Sequence, residues 1–186
     1  MRWVWYLALI IWISTVGRGW AAEAPNDPEE NNWRRIDSKY CTIWLHPSVE
    51  VKQINKRVST WRVHPQVKIA KSEPEEVKLT AKFDTIFQRA QEILDMYPAG
   101  VHVTVKVLRD RDEVEGIHAD RYGYDTDAVA FYDFEDNTVF VAMKDLSEGV
   151  LVHEMSHCII DHYFRVRPPR KIEELLAMHA DEHLRD

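Results

Sequence analysis

Two histidines and a glutamate stand at a spacing that suits metal chemistry. The motif His153-Glu154-Met155-Ser156-His157 lies in a stretch whose apolar residues recur at helical intervals. Residues i and i+4 share one face of a helix, so both imidazoles can bind the same cation. Glu154 projects about 100° around the helix from His153, where its carboxylate can take a proton from a metal-activated water. The motif therefore predicts a metal site with Glu154 as general base.

A third ligand is expected from the next helix. Glu173 and Glu174 follow His157 by 16 and 17 residues, which leaves room for a turn and an antiparallel helix. We prefer Glu174, because Ala177 three residues later allows a close helix crossing that brings the carboxylate to the metal. Glu173 is the alternative, since its helical neighbours are also apolar. The other role open to either acid is to stabilise the helix N-terminus.

The pattern around the motif mixes helices and strands, which predicts an α+β fold. Apolar residues at helical spacing predict helices over residues 72–97, 145–160 and 170–184. Alternating or continuous β-prone residues predict strands over residues 40–45, 101–107, 128–132 and 138–142. We expect the last two strands to form a hairpin and residues 109–127 to form a polar loop. Residues 48–70 are ambiguous, with a helical stripe first and an extended stretch from Trp61 to Ile69.

The amino-acid composition is that of an ordinary folded domain and excludes several other classes of protein. The 186 residues are 45% hydrophobic and 30% charged, which fits one folded domain. Six glycines, eight prolines and two cysteines exclude collagen-like, disordered and disulfide-scaffold proteins. The formal net charge is -7, and no run of lysines or arginines is present, so we expect no nucleic-acid partner.

The N-terminal residues are typical of a signal peptide. An apolar stretch over residues 3–16 follows Arg2, and small residues surround the expected cleavage point after Ala21. Its 14 residues are fewer than the roughly 20 that span a bilayer as a helix. We therefore expect residues 1–21 to be removed, leaving no stable membrane span, and the protein to be secreted or periplasmic. An uncleaved membrane anchor is the alternative.

The segment after the signal peptide is rich in Glu, Asn, Asp and Pro, so residues 22–38 are predicted to be a flexible leader. The folded domain is then expected over residues 39–186. Export would place Cys41 and Cys158 in an oxidising compartment, where they join if their Cα atoms lie within bridging distance. Two buried free thiols are the alternative, and the sequence leaves both open.

The helical HExxH motif, the Glu174-Leu175-Leu176-Ala177 sequence and the upstream hairpin together resemble the catalytic half of gluzincin-type zinc metallopeptidases, over roughly residues 100–184. The resemblance implies a zincin-like fold, in which a mixed sheet with an edge hairpin packs against an active-site helix and a following ligand helix. It also implies that an extended peptide substrate pairs with strand Thr138–Ala142 at the sheet edge.

The same resemblance implies a site with defined roles. Zn²⁺ would be bound by His153, His157 and Glu174, and Glu154 would be the catalytic base. Larger members of the family supply a Tyr or His to the developing oxyanion from a further C-terminal region. The candidates for that role here are Tyr122, Tyr124, His162, Tyr163, His179 and His183.

The family's usual acidic residue after the ExxA alanine is Met178 here, which leaves Asp161 and Asp181 as candidates to orient a ligand histidine. Four other histidines are left without a role: His46, His64, His102 and His118.

These observations predict an exported zinc-dependent peptidase that hydrolyses peptide bonds in a peptide or protein substrate. Water activated by the metal would be the nucleophile. The alternative is a zincin-like protein that binds zinc and a partner without turnover. A third possibility is a secreted domain in which the motif is a coincidence. Oligomeric state is not predicted.

Overall fold

The computed structural model describes residues 32–61 and 63–186. The predicted signal peptide and residues 22–31 of the predicted leader lie outside the described residues. The described strands are β1 Arg34–Asp37, β2 Cys41–Leu45, β3 Val103–Leu108, β4 Ala130–Asp133 and β5 Thr138–Ala142. The described helices are α1 Val51–Arg57, α2 Glu75–Leu94, α3 Arg111–Tyr122, α4 Glu148–Tyr163 and α5 Arg170–Glu182. The predicted mixture of helices and strands is confirmed.

The five strands form one mixed sheet in the order β1-β2-β3-β5-β4. Strands β2, β3 and β5 are parallel, and the register aligns Ile43 with Val105 and Val105 with Val139. The outer strands β1 and β4 run antiparallel to their neighbours. Of the three parallel strands, β5 is buried at every residue, whereas β2 and most of β3 alternate between buried and half-buried residues.

The predicted hairpin is confirmed, because β4 and β5 pair antiparallel. The prediction that Thr138–Ala142 forms the sheet edge is wrong: β5 lies between β3 and β4, and the outer strand of this hairpin is β4. All five residues of β5 are buried, as expected of an internal strand with both faces covered. Alternation in a hairpin predicts pairing but does not show which arm lies outside.

Helices cover both faces of the sheet. Side chains alternate along β5, so Val139 and Val141 join the main core on one face and Phe140 faces the other. The main core also contains the apolar faces of α2 and α4, whereas Phe140 packs in a smaller cluster with Val114 of α3. Helix α5 packs against α4 and α2. Helix α4 thus lies between the sheet and α5.

Helix α3 replaces much of the polar loop predicted over residues 109–127. Asp110 caps it, since its side chain accepts a hydrogen bond from the Glu113 backbone N–H. Only Val114 and His118 are buried within the helix. This narrow apolar face, in an otherwise charged segment, is too weak a periodic signal to predict a helix.

Strand β1 lies within the segment predicted to be a flexible leader, so order begins before Lys39. Arg34 to Asp37 pair antiparallel with β2. Ile36 is the one buried residue of this strand, and a single apolar side chain gives no alternation to recognise. Backbone pairing with the apolar strand β2 is what orders it.

Helix boundaries also differ from those predicted. Helix α2 begins at Glu75 after Pro74, three residues later than predicted, and its N-terminus has no side-chain cap. Helix α4 begins at Glu148 and not at residue 145, and its cap is Ser147, whose hydroxyl accepts a hydrogen bond from the Val150 N–H. Helix α1 confirms the helical stripe predicted before residue 58.

The described part of the extended stretch predicted from Trp61 to Ile69 consists of turns and irregular backbone. Of the two alternatives for Cys41 and Cys158, the structure has buried free thiols. Within the described ranges, no helix is long and apolar enough to cross a membrane.

Candidate metal centre

One face of α4 is buried in the core, so the two motif histidines lie on the other side of the helix. The fully buried residues of α4 are Leu151, Val152, Met155, Ser156, Cys158, Ile159 and Ile160. His153 and His157 lie one turn apart on the side toward α5, with side chains 25% and 12% exposed. Their ring centroids are 5.0 Å apart. The imidazoles therefore border a cleft and are not packed into the core.

Glu174 of α5 reaches both imidazoles. Its Oε2 atom lies 3.6 Å from His153 Nε2 and 3.8 Å from His157 Nε2. One ligand atom from each residue lies within 4.8 Å of the other two. Tetrahedral ligands held about 2.0–2.1 Å from a zinc ion are roughly 3.4 Å apart, so small side-chain adjustments would complete the coordination. Two imidazoles and a carboxylate are also the donors of an open catalytic zinc site.

Small residues allow α5 to approach α4 at this crossing. Ala177 and Ala180 are fully buried. A Cβ atom added to Gly149 would lie 2.6 Å from Asp181 Oδ1, so the first turn of α4 needs glycine there unless the carboxylate moves. Asp181 therefore lies beside Gly149, one turn before His153. The other predicted orienting acid, Asp161, accepts a hydrogen bond from the Tyr132 hydroxyl at 3.3 Å.

Glu173, the alternative third ligand, is engaged elsewhere. Its two carboxylate oxygens accept hydrogen bonds from Arg167 Nε at 2.5 Å and Nη2 at 3.1 Å. The Glu173 side chain is only 5% exposed, and the Arg167 guanidinium lies 4.2 Å from the ring centroid of Phe134. This paired carboxylate is not in the group of possible metal ligands, which contains Glu174.

Glu154, the predicted base, is 9% exposed and lines the cleft. Burial raises the pKa of its carboxyl group to about 8, although a hydrogen bond from the Tyr132 backbone opposes the shift; the nearby charge of Glu174 adds to it. Burial, with the neighbouring His153, lowers the pKa of His157 to about 4. The His157 imidazole is therefore neutral at pH 7, which is the form that binds metals.

The cleft is a cavity of about 560 Å³, a size typical of ligand sites. Its walls come from the three motif residues, from α3 and β4, and from the turn that leads into α5. Besides the motif, its lining includes His118, Tyr122, Tyr124, Ala130, Phe131, Tyr132, Phe134, Arg167, Arg170, Glu173 and Glu174.

Two of the six candidates for the oxyanion role, Tyr122 and Tyr124, line this cavity. The Tyr122 hydroxyl donates to Asp133 Oδ1 at 3.3 Å, and burial beside that acid raises its pKa to about 12. Tyr124 instead lies beside Arg170, where it raises the pKa of the guanidinium, and Arg170 Nε lies 3.7 Å from Glu174 Oε1. The remaining four candidates are not among the residues that line the cavity.

His118 and Arg167 are two of the cavity residues that the sequence did not predict. His118 is buried beside the rings of Tyr122 and Tyr124, and its Nδ1 lies 3.3 Å from the Tyr124 carbonyl oxygen. A helix prediction for residues 111–122 would have aligned His118 with Val114 on one face. Arg167, which holds Glu173, lies in a turn where no spacing rule predicts a partner.

No family model, curated protein or solved structure matches this chain. The resemblance to gluzincin-type peptidases therefore depends on the motif residues. The geometry of the cleft is the remaining basis for inferring a function.

Proposed function

We propose that this chain is a zinc-dependent peptidase with a zincin-like fold. The observation that carries the proposal is that His153, His157 and Glu174 converge on a cavity that also holds the Glu154 carboxyl group. An edge strand, β4, borders the same cavity. These are the parts that hydrolysis of an extended peptide needs.

The metal would be held by His153 and His157 through Nε2 and by Glu174 through its carboxylate. When bound, zinc supplies Lewis acidity, which lowers the pKa of a coordinated water and polarises a carbonyl group. The chain prepares this site in two ways. The low pKa of His157 keeps a lone pair free, and the pairing of Glu173 with Arg167 removes a competing carboxylate.

Glu154 would be the proton carrier. As the water oxygen bonds to the peptide carbonyl carbon, the carboxylate accepts a water proton and then delivers it to the amide nitrogen. The carbon–nitrogen bond breaks as the new N–H bond forms. A dication beside Glu154 favours its ionised form, so metal binding would lower a carboxyl pKa that burial holds at about 8.

Strand β4 offers backbone groups to a substrate. The Ala142 N–H donates to the Val129 carbonyl, so these two residues form a hydrogen-bonded pair of the β4–β5 ladder. Hydrogen-bonded and non-hydrogen-bonded pairs alternate along an antiparallel ladder, so Ala130 and Tyr132 direct their backbone groups away from β5. The hydrogen bond between the Tyr132 backbone and Glu154 agrees with this direction, because Glu154 lies on α4 and not on β5. An extended peptide could pair with Ala130 and pass Glu154, in the mode of an added strand.

Tyr124 is our choice for the oxyanion donor. Its side chain is exposed to the cavity, and its Arg170 partner also approaches Glu174. The Tyr122 hydroxyl, in contrast, is already donated to Asp133. A phenol near the ligand carboxylate could donate to the negative charge that develops on the carbonyl oxygen.

The proposal is tested with Glu154→Gln, assayed on a mixture of peptides. Hydrolysis should fall by at least about 100-fold, because general-base catalysis is lost, while bound zinc measured by elemental mass spectrometry is kept. His153→Ala should lose both. Glu182→Gln, an exposed change on α5, is the matched control and should keep both.

Full activity of Glu154→Gln would contradict the assignment of the base. A wild-type chain that binds zinc but hydrolyses none of the peptides would instead favour the alternative of a non-catalytic zinc-binding module.

A further inference from the structure

A second cavity, of about 610 Å³, is lined by α1, α2 and the segment that joins them, and its charged residues are nearly all of one sign. The lysines that line it are Lys52, Lys56, Lys68, Lys71, Lys78 and Lys82. Glu75 is the one acid among the described lining residues. In a chain with a formal net charge of -7, this concentration of positive charge is local.

Two of these lysines already have partners within the chain. Lys78 Nζ pairs with Glu75 Oε1 at 2.9 Å. Lys82 Nζ donates to the carbonyl oxygens of Asn55 and Val58 at 2.6 and 2.7 Å, which stabilises the C-terminal end of α1. These two ammonium groups are engaged within the chain.

The other four lysines are exposed. Lys52 and Lys56 come from α1, and Lys68 and Lys71 come from the joining segment. They approach the same cavity from two sides although no lysine-rich run exists in the sequence. Four ammonium groups in one concave surface concentrate positive potential, which favours an anionic ligand.

Apart from Asn55, the rest of the described lining is apolar or carries hydroxyl groups. Trp61 is 63% exposed and lines the cavity beside Pro65 and Val67. Ser59 and Thr60 lie at the wall nearest α1. An indole and aliphatic carbons pack well against the C–H faces of a carbon skeleton, so the cavity fits an anion that carries a hydrocarbon or sugar framework.

We propose that this cavity binds a short sulfated oligosaccharide. Sulfate groups would pair with Lys52, Lys56, Lys68 and Lys71, and a sugar ring would lie against Trp61. The acidic surface elsewhere repels long polyanions, and a concave site does not match a flat bilayer. The ligand would therefore be short and would enter the cavity.

The test is binding of a heparin-derived hexasaccharide to the full chain, measured by calorimetry at two salt concentrations. We expect binding that weakens with salt and falls by at least about tenfold in the double variant Lys56→Glu/Lys68→Glu. The matched control, Lys144→Glu/Arg185→Glu, makes the same charge change at exposed residues elsewhere and should bind as the wild type does. If the double glutamate variant fails to fold, Lys56→Gln/Lys68→Gln replaces it.

Three results would overturn the proposal. These are no binding of the hexasaccharide, equal binding of its desulfated form, and binding that the lysine changes leave intact. Equal or tighter binding of a single-stranded oligonucleotide or of phosphatidylglycerol vesicles, lost in the same variants, would reassign the cavity to another class of ligand. None of these readouts depends on zinc or on peptidase activity.

Discussion

The Glu154 carboxyl group is buried, and this burial destabilises the folded chain at pH values where the group would be ionised in water. Its pKa is raised from 4.5 to about 8, so between these values the folded state binds more protons than the unfolded state. The free energy of unfolding must then fall as pH rises through this window.

Glu154→Gln cannot ionise and removes this cost. We predict that it raises the free energy of unfolding of the metal-free chain by about 3–5 kcal/mol at pH 8 and far less at pH 5. Urea unfolding in the presence of a chelator measures the difference. Glu182→Gln serves as the exposed control. A stability difference that is the same at both pH values would show that Glu154 has an ordinary pKa.

Tyr124 and Tyr122 provide a matched pair at the same cavity. Tyr124→Phe should lower kcat by about 100-fold with little change in KM, because an oxyanion donor acts mainly in the transition state. Tyr122→Phe removes the hydrogen bond to Asp133 and should instead cost about 1 kcal/mol of stability. Steady-state kinetics and thermal unfolding of both variants distinguish these roles. A larger loss of kcat in Tyr122→Phe would reverse the assignment.

Helical spacing was enough to predict that His153 and His157 share a face and that an acid from the next helix meets them. The choice between Glu173 and Glu174 had a weaker basis. Arg167 is what separates the two acids, because its guanidinium binds Glu173 and leaves Glu174 beside the histidines. That contact lies across a turn before α5, and helical periodicity says nothing about it.

At the scale of elements, the edge strand β4 makes the mode of substrate binding testable. Ala130→Pro removes a backbone N–H that points away from β5, so the β4–β5 ladder should survive, as proline is tolerated in edge strands. The loss of one substrate hydrogen bond predicts a fall in kcat/KM of about tenfold for an extended peptide. Peptide kinetics on the folded variant measure it.

Ala130→Ser keeps the backbone N–H and is the matched control for Ala130→Pro. An unchanged kcat/KM in a folded Ala130→Pro chain would mean that substrate does not pair with this strand.

Strong periodicity predicted the elements that form the core, and the elements with few buried side chains were missed. Helix α2 and strand β3 carry apolar residues at clear intervals and lie close to where they were predicted. Helix α3 and strand β1 bury only one or two side chains each. Capping by Asp110 orders α3, and backbone pairing with β2 orders β1. Neither interaction requires apolar residues at regular intervals in the sequence.

Alternating apolar residues predict that two strands form a hairpin. They do not predict which of the two strands lies at the edge of the sheet. The continuous apolar composition of Thr138–Ala142 was the available signal, since all five residues are buried between neighbouring strands. Strand β4 has a half-buried Phe131 and, within the described part of the chain, pairs with β5 alone. The edge role belongs to β4, which also borders the cavity.

At the scale of the whole molecule, the distribution of charge differs from what the linear sequence indicates. The absence of a basic run predicted no anionic partner of the nucleic-acid type. Lysines more than 20 residues apart in sequence nevertheless line one cavity. Folding of α1 against α2 brings them together, and composition alone cannot predict that.

The central claim is that this fold builds one zinc site from α4 and α5. The most direct test is the zinc content of the purified chain, without added metal, by elemental mass spectrometry. Wild type is compared with His157→Ala and with His102→Ala, whose exposed imidazole contacts Thr42 instead of the cavity. We predict about one zinc per chain in wild type and in His102→Ala and almost none in His157→Ala. A wild-type chain without zinc, or a His157→Ala chain that keeps it, would contradict the claim.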